Sequence, residues 1–340
     1  QLHGRKWFTS ATTSQMALAL ARPEGNPEGS KGLALFYIEP HDAHGQLQQI
    51  EVNRLKDKMG TRKVPTAELL LKGAPATLVG EARNGVKQIT PMLNITRTWN
   101  AVSSIALMRR GLQLAWNYAT KRQAFGHALI HKPLHRETLV NLEATFASAF
   151  CFTFACVHLL GKLENGTATA LEQQQLRLFI PLLKLSTGKQ SVQVLSEVME
   201  SFGGAGYVED TGIPQLLRDA QVFPIWEGTT NVLSLDSLHV LLKSGKTQLE
   251  DWLTPAHCEA TSEGHQAGRD QVQAALQCVL DHREQPEQLE ANARKIAQGF
   301  AAGLAKLYLA DFATLHPELV FAAETDTPLT VTTAELLSRC

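Results

Sequence analysis

Ile225-Trp226-Glu227-Gly228-Thr229-Thr230-Asn231, preceded by Arg218-Asp219-Ala220, is the stretch around which the rest of the chain can be ordered. The apolar spacing after it predicts a helix from Thr229 to about Leu242, stopped near Ser244-Gly245. Glu227 therefore stands just ahead of a helix. A carboxylate there either complements the free N–H groups of the first turn or is placed for chemistry.

Upstream, three more helical segments can be read. One carries Ile95, Trp99, Val102, Ile105, Leu112 and Trp116 at helical spacing. A second should start near Pro133, with Leu139, Leu142, Phe146 and Phe150 on one face, and end by Asn165-Gly166. A third runs from about Thr169 to Phe202, and Pro181 inside it should kink it by removing a backbone donor. Together the four suggest a bundle over 81–245. Ahead of it, residues 1–80 read as a β-rich module: apolar runs at Lys6 to Thr9, Met16 to Ala21, Leu33 to Ile38, Ile50 to Leu55 and Ala67 to Leu71 alternate with turn formers. Beyond the bundle, 246–340 reads as a helical extension, with Leu289, Ala293, Ile296, Phe300, Leu304 and Leu307 on one side. The expected fold class is α+β: a small antiparallel β domain, a four-helix bundle and the extension.

Bulk properties narrow the function classes. A formal net charge of −1 over 340 residues gives no global basic footprint for nucleic acid. The five cysteines are spread without metal spacing, so no metal site is expected and reduced thiols in a reducing compartment, mitochondrial or cytoplasmic, are. The apolar windows are read as too interrupted by polar groups to span a bilayer, so no membrane partner is expected. The chain opens on Gln1 within strand-like sequence, so a preceding segment is expected to be missing.

Three further motifs carry chemistry. Leu2-His3-Gly4-Arg5-Lys6-Trp7-Phe8-Thr9-Ser10 is a strand whose Trp7 either packs in a core or on a surface or offers an aromatic wall to a planar cofactor. Lys121-Arg122-Gln123-Ala124-Phe125-Gly126 offers a guanidinium, suited to hold phosphate oxygens bidentately, or merely a basic helix end. Glu200-Ser201-Phe202-Gly203-Gly204-Ala205-Gly206-Tyr207 is a glycine turn that lets backbone approach a cofactor or simply caps a helix. With the Arg-Asp … Trp-Glu-Gly-Thr segment, their order and spacing resemble the acyl-CoA dehydrogenase family over about residues 1 to 245. Arg54-Leu55-Lys56-Asp57-Lys58-Met59-Gly60, Met108-Arg109-Arg110, Met199-Glu200 and the Asn231 and Asp236 positions look like its AidB-like branch, whose members carry a C-terminal helical extension.

That resemblance implies FAD as cofactor, an acyl-CoA substrate in fatty acid metabolism and an electron-acceptor flavoprotein as partner. It implies Glu227 as the base that removes the α-proton, with Arg97 close to it; a solvated helix arginine is the alternative for Arg97. Trp7, Phe8 and Thr9 would address the isoalloxazine. Arg122, Phe125, Glu200, Gly203 and Gly204 would serve the FAD of a neighbouring subunit, which implies a homotetramer or homodimer, and Thr229 and Asn231 would contact FAD from the helix start. Glu200 stands where the family usually has Gln, and Asn231-Val232-Leu233-Ser234 follows where many members have Gln-(Ile)-x-Arg. Two alternatives stay open: a flavoprotein that binds nucleic acid in an alkylation response, disfavoured because the extension has Lys295, Lys306 and few arginines among many acids, and a non-catalytic acyl-CoA sensor.

Overall fold

The computed structural model describes residues 1–244, 262–316, 320–323, 329–332, 336 and 339. Two compact units divide the chain, Gln1–Ile95 and Thr96–Cys340, and the division falls inside a helix.

In the first unit β1 (Leu2–Thr9), β5 (Ala67–Ala74) and β4 (Ile50–Leu55) form one antiparallel sheet in the order β1-β5-β4, and β2 (Ala17–Ala21), β3 (Ala34–Ile38) and β6 (Thr77–Val79) form another in sequence order. The five apolar runs of the sequence each become a strand, and β6 is added to them. Leu2, Ile38, Leu71 and Ala74 make the small core. The alternation of β1 breaks at a register shift between Lys6 and Thr9, where the strand bulges and leaves both Trp7 and Phe8 exposed. Helix α1 (Gly85–Lys121) starts within this unit because Gly85 lies against the Ala34 and Leu35 backbone, where a Cβ would sit 2.6 Å from the Ala34 carbonyl carbon. The compact unit thus runs past residue 80, where the residue character changes.

The second unit is helical: α1 from Thr96, α2 (Pro133–Glu164), α3 (Ala170–Ser201), α4 (Ile213–Ala220), α5 (Thr230–Lys243), α6 (Glu263–Asp281) and α7 (Pro286–Leu315), with a two-residue-strand hairpin, β7 (Gln123–Ala124) and β8 (His127–Ala128), after α1. Pro133 opens α2, where its missing N–H costs nothing. Thr169 caps α3 in a reciprocal box with Glu172, and α3 continues through Pro181 to Ser201. Two buried clusters hold the unit. One joins Phe152, Phe179 and Leu233 to Val272, Ile296, Phe300 and Leu304, so α6 and α7 share a core with the bundle helices. Phe152 stacks on Tyr308 of α7, ring centroids 5.9 Å apart. The other centres on Met108, Leu112, Trp116, Leu139 and Phe146. Trp99, on the stripe predicted for α1, is instead 67% exposed. At 320–323 and 329–332 an antiparallel pair follows.

One expectation is corrected. By length and composition α2 is apolar enough to cross a bilayer; its polar residues are too few and scattered to interrupt it. Leu139, Ala147, Phe152 and Cys156 nevertheless face the protein core.

Candidate functional site

Glu227 sits in a turn held from two helices. Its φ is +59° and that of Gly228 is +104°, two successive left-handed residues that reverse the chain between α4 and α5. A non-glycine residue at such a φ persists only where its surroundings fix it, and here they do. The Thr96 hydroxyl on α1 donates to Glu227 Oε2 at 2.7 Å. Arg97 Nε donates to the Glu227 carbonyl at 3.2 Å, and Arg97 Nη1 reaches Asp236 Oδ2 on α5 at 3.3 Å. Arg177 of α3 pairs with the other oxygen of Asp236. Lys184 of α3 donates to the Gly228 carbonyl at 2.6 Å. The turn lies on α3 because Gly188 lets it: a Cβ there would come 3.1 Å from the Phe223 carbonyl carbon.

These contacts leave Glu227 Oε1 without a partner among the described residues, on a half-buried side chain beside exposed Ile225 and Trp226. Arg97 is near Glu227, as expected, yet it bonds the main-chain carbonyl rather than the carboxylate. The cation therefore fixes the turn and its charge is shared with Asp236. Burial pushes the Lys184 ammonium down to about 8; the Glu227 charge opposes the shift and Arg97 adds to it. Sequence reading missed Thr96 and Lys184. Lys184 had a signal, a cation within the otherwise apolar run Leu178 to Leu185; Thr96 had none beyond its place before Arg97.

Five other expected site residues meet in one cleft of about 920 Å³. Arg122, Phe125, Glu200, Gly203 and Gly204 line it, with His135 and Lys132. Phe125 and Gly126 both have positive φ and form the two-residue turn between β7 and β8, which carries the Phe125 ring out to 95% exposure. Lys132 Nζ donates to the Phe125 carbonyl at 2.9 Å. The Arg122 guanidinium is exposed and meets no acceptor among the described residues, and a Cβ on Gly203 or Gly204 would enter open space.

Thr229 is the N-cap residue of α5 but makes no side-chain capping bond. Exposed Asn231 lines a separate cleft of about 610 Å³ with Ser234 and with Glu287, Glu290 and Arg294 of α7. On the β unit, the Lys56 ammonium lies 3.6 Å from the Trp7 ring centroid and 4.6 Å from that of Phe8. Lys56 and Arg54 both pair with Glu68, and Lys56, the stronger influence, holds that carboxyl below the usual range. Phe8 and Thr9 line an apolar cavity of about 440 Å³ between the two sheets.

Known proteins resemble the chain over most of its length. The family profile "Acyl-CoA dehydrogenase, C-terminal domain" matches residues 83–241. The chain is 51% identical over 253 residues to acyl-CoA dehydrogenase family member 11 of Caenorhabditis elegans, covering 73% of this chain and 41% of that protein. It is 34% identical over 263 residues to the putative acyl-CoA dehydrogenase AidB of Escherichia coli, covering 77% and 46% respectively. The crystal structure of C. elegans ACDH-11 in complex with C11-CoA superposes with a TM-score of 0.86 at 39% identity, covering 99% of this chain and 58% of that one. The chain thus spans a little under half the length of these two relatives.

Proposed function

The chain belongs to the acyl-CoA dehydrogenase family, and from that premise we propose that it serves the α,β-dehydrogenation of an acyl-CoA thioester with Glu227 as the base. The observation that carries the reading is the Glu227 turn. One carboxylate oxygen is engaged by Thr96, the other has no hydrogen-bond partner among the described residues, and the backbone is held at the Glu227 and Gly228 carbonyls. A base needs that combination: a defined direction and a lone pair free to take a proton.

FAD is the cofactor of this family, and the residues present fit a dinucleotide. Arg122 is a guanidinium that meets no acceptor among the described residues, at a glycine-floored cleft where side chains on Gly203 and Gly204 would intrude on open space. In the proposed arrangement Arg122, Phe125, Glu200, Gly203 and Gly204 hold the dinucleotide of a neighbouring subunit, so the working unit is a homodimer or homotetramer. Trp7, Phe8 and Thr9 hold the isoalloxazine, and Thr229 and Asn231 offer further FAD contacts at the start of α5. Bound FAD would supply the hydride acceptor for the β-hydrogen. Glu227 Oε1 takes the α-proton, while Thr96 keeps the carboxylate aimed and Arg97 keeps its main chain in place. An acceptor flavoprotein would be the partner that takes up the electrons.

Anaerobic titration of the full-length FAD-loaded protein with saturated acyl-CoAs of graded length tests this reading. Bleaching of the flavin is expected with at least one of them. A complete panel that binds without bleaching would replace the dehydrogenase with an acyl-CoA sensor.

A further inference from the structure

Lys184 is the one lysine among the largest fully buried side chains of the described residues, and burying an ammonium is costly unless a partner repays it. Its neighbours Leu182, Leu183 and Leu185 are also fully buried, so packing alone would be served by another aliphatic residue at this place. The side chain makes one hydrogen bond among the described residues, to the Gly228 carbonyl at 2.6 Å. That carbonyl belongs to the second left-handed residue of the Glu227 turn. One helical turn further on, Gly188 clears the space in which Phe223 and Pro224 rest on the same face of α3.

From this placement we propose that Lys184 is a positioning residue for Glu227. Its ammonium pins the Gly228 carbonyl to α3, and so fixes the strained turn from which the carboxylate reaches substrate. Thr96 and Arg97 hold the turn from α1, and Lys184 holds it from the opposite helix. With the α3 tie cut, Glu227 keeps its hydroxyl contact but the backbone carrying it is free to relax out of the left-handed region. A displacement of the order of 1 Å at a catalytic group costs about 100-fold in rate.

This inference rests on the proposed base role of Glu227, and two readouts separate the two. In full-length FAD-loaded protein, K184M replaces the ammonium by an apolar group of similar length. Hydrogen exchange should accelerate about tenfold across residues 226–231 and stay unchanged in the α3 peptides flanking position 184. That readout does not depend on turnover. In rapid-mixing reduction by an acyl-CoA that bleaches the wild type, the limiting rate should fall about 100-fold, with KM shifted only a few-fold. Should K184M not accumulate as folded protein, K184Q is the second variant: its amide is one atom too short to keep the bond, and both losses should appear at smaller size. Wild-type exchange at 226–231, in either variant, would overturn the positioning role. Accelerated exchange with a wild-type reduction rate would overturn it as well. A wild-type protein that no acyl-CoA reduces would refute the dehydrogenase reading while exchange still reports on Lys184.

Discussion

The Glu227 turn and the Arg122 cleft are two regions of one helical unit built to opposite plans. In the turn, side chains from α1 and α3 hold the backbone, and among the described residues one carboxylate oxygen of Glu227 is left without a hydrogen bond. In the cleft, a guanidinium, an almost fully exposed phenylalanine and two glycines line open space. A group meant to react must be aimed before the substrate arrives, whereas groups meant to bind stay open until the ligand supplies their partners. The comparison predicts that damage to the turn should change rate, and damage to the cleft should change affinity.

The largest expected effect is in the turn. E227Q keeps the shape and the Thr96 contact but removes the base, so flavin reduction should fall by about three orders of magnitude or more while FAD content is unchanged. Equal loss of bound FAD would erase the contrast. Next, R122Q should weaken FAD binding by about 10- to 100-fold, measured by titrating apoprotein, with the reduction rate per bound flavin within a few-fold of wild type. A rate defect with normal affinity would put Arg122 in the other class.

Burial of Lys184 gives the turn a pH signature in the alkaline range. Its folded value of about 8 lies below the usual lysine value of 10.5, so between those pH values the unfolded chain holds a proton that the folded one has released. Stability therefore rises with pH across that window, and below it the protonated lysine exerts its full penalty. The wild type minus K184M difference in unfolding free energy should grow by about 2 to 3 kcal/mol from pH 8 to 10.5 in denaturant titrations. A flat difference would mean that the ammonium pays no desolvation cost there. The smallest effect belongs to the cleft: G204A, with open space for its methyl, should leave stability within about 0.5 kcal/mol and show itself only as weaker FAD binding.

Much of this was legible in residue order. Pro133 and Thr169 mark helix starts through local chemistry that a sequence states openly, and the β runs followed from alternation and turn formers. The five cleft residues stand in two separate motifs, Lys121 to Gly126 and Glu200 to Tyr207, and the fold brings them together. Other features depend on long-range register. Trp7 and Phe8 are exposed side by side because β1 bulges against β5, which no alternation rule foresees. The apolar face of α7 was plain, but not that Phe152 and Phe179 of the bundle would cover it. Thr96 and Lys184 gained meaning only when α1 and α3 met at a turn far along the chain. Cys258 and Cys340 lie outside the described residues, while Cys151 and Cys156 are buried thiols, and burial pushes Cys156 well above its usual range.

The central claim is that Glu227 takes a proton from the carbon next to the thioester carbonyl. Rapid mixing of the full-length, FAD-loaded protein with acyl-CoA deuterated at that carbon measures this directly: bleaching should slow several-fold relative to the protiated substrate in the wild type and be essentially absent in E227Q. Bleaching that ignores the deuterium, or that proceeds at the wild-type rate in E227Q, would contradict the account.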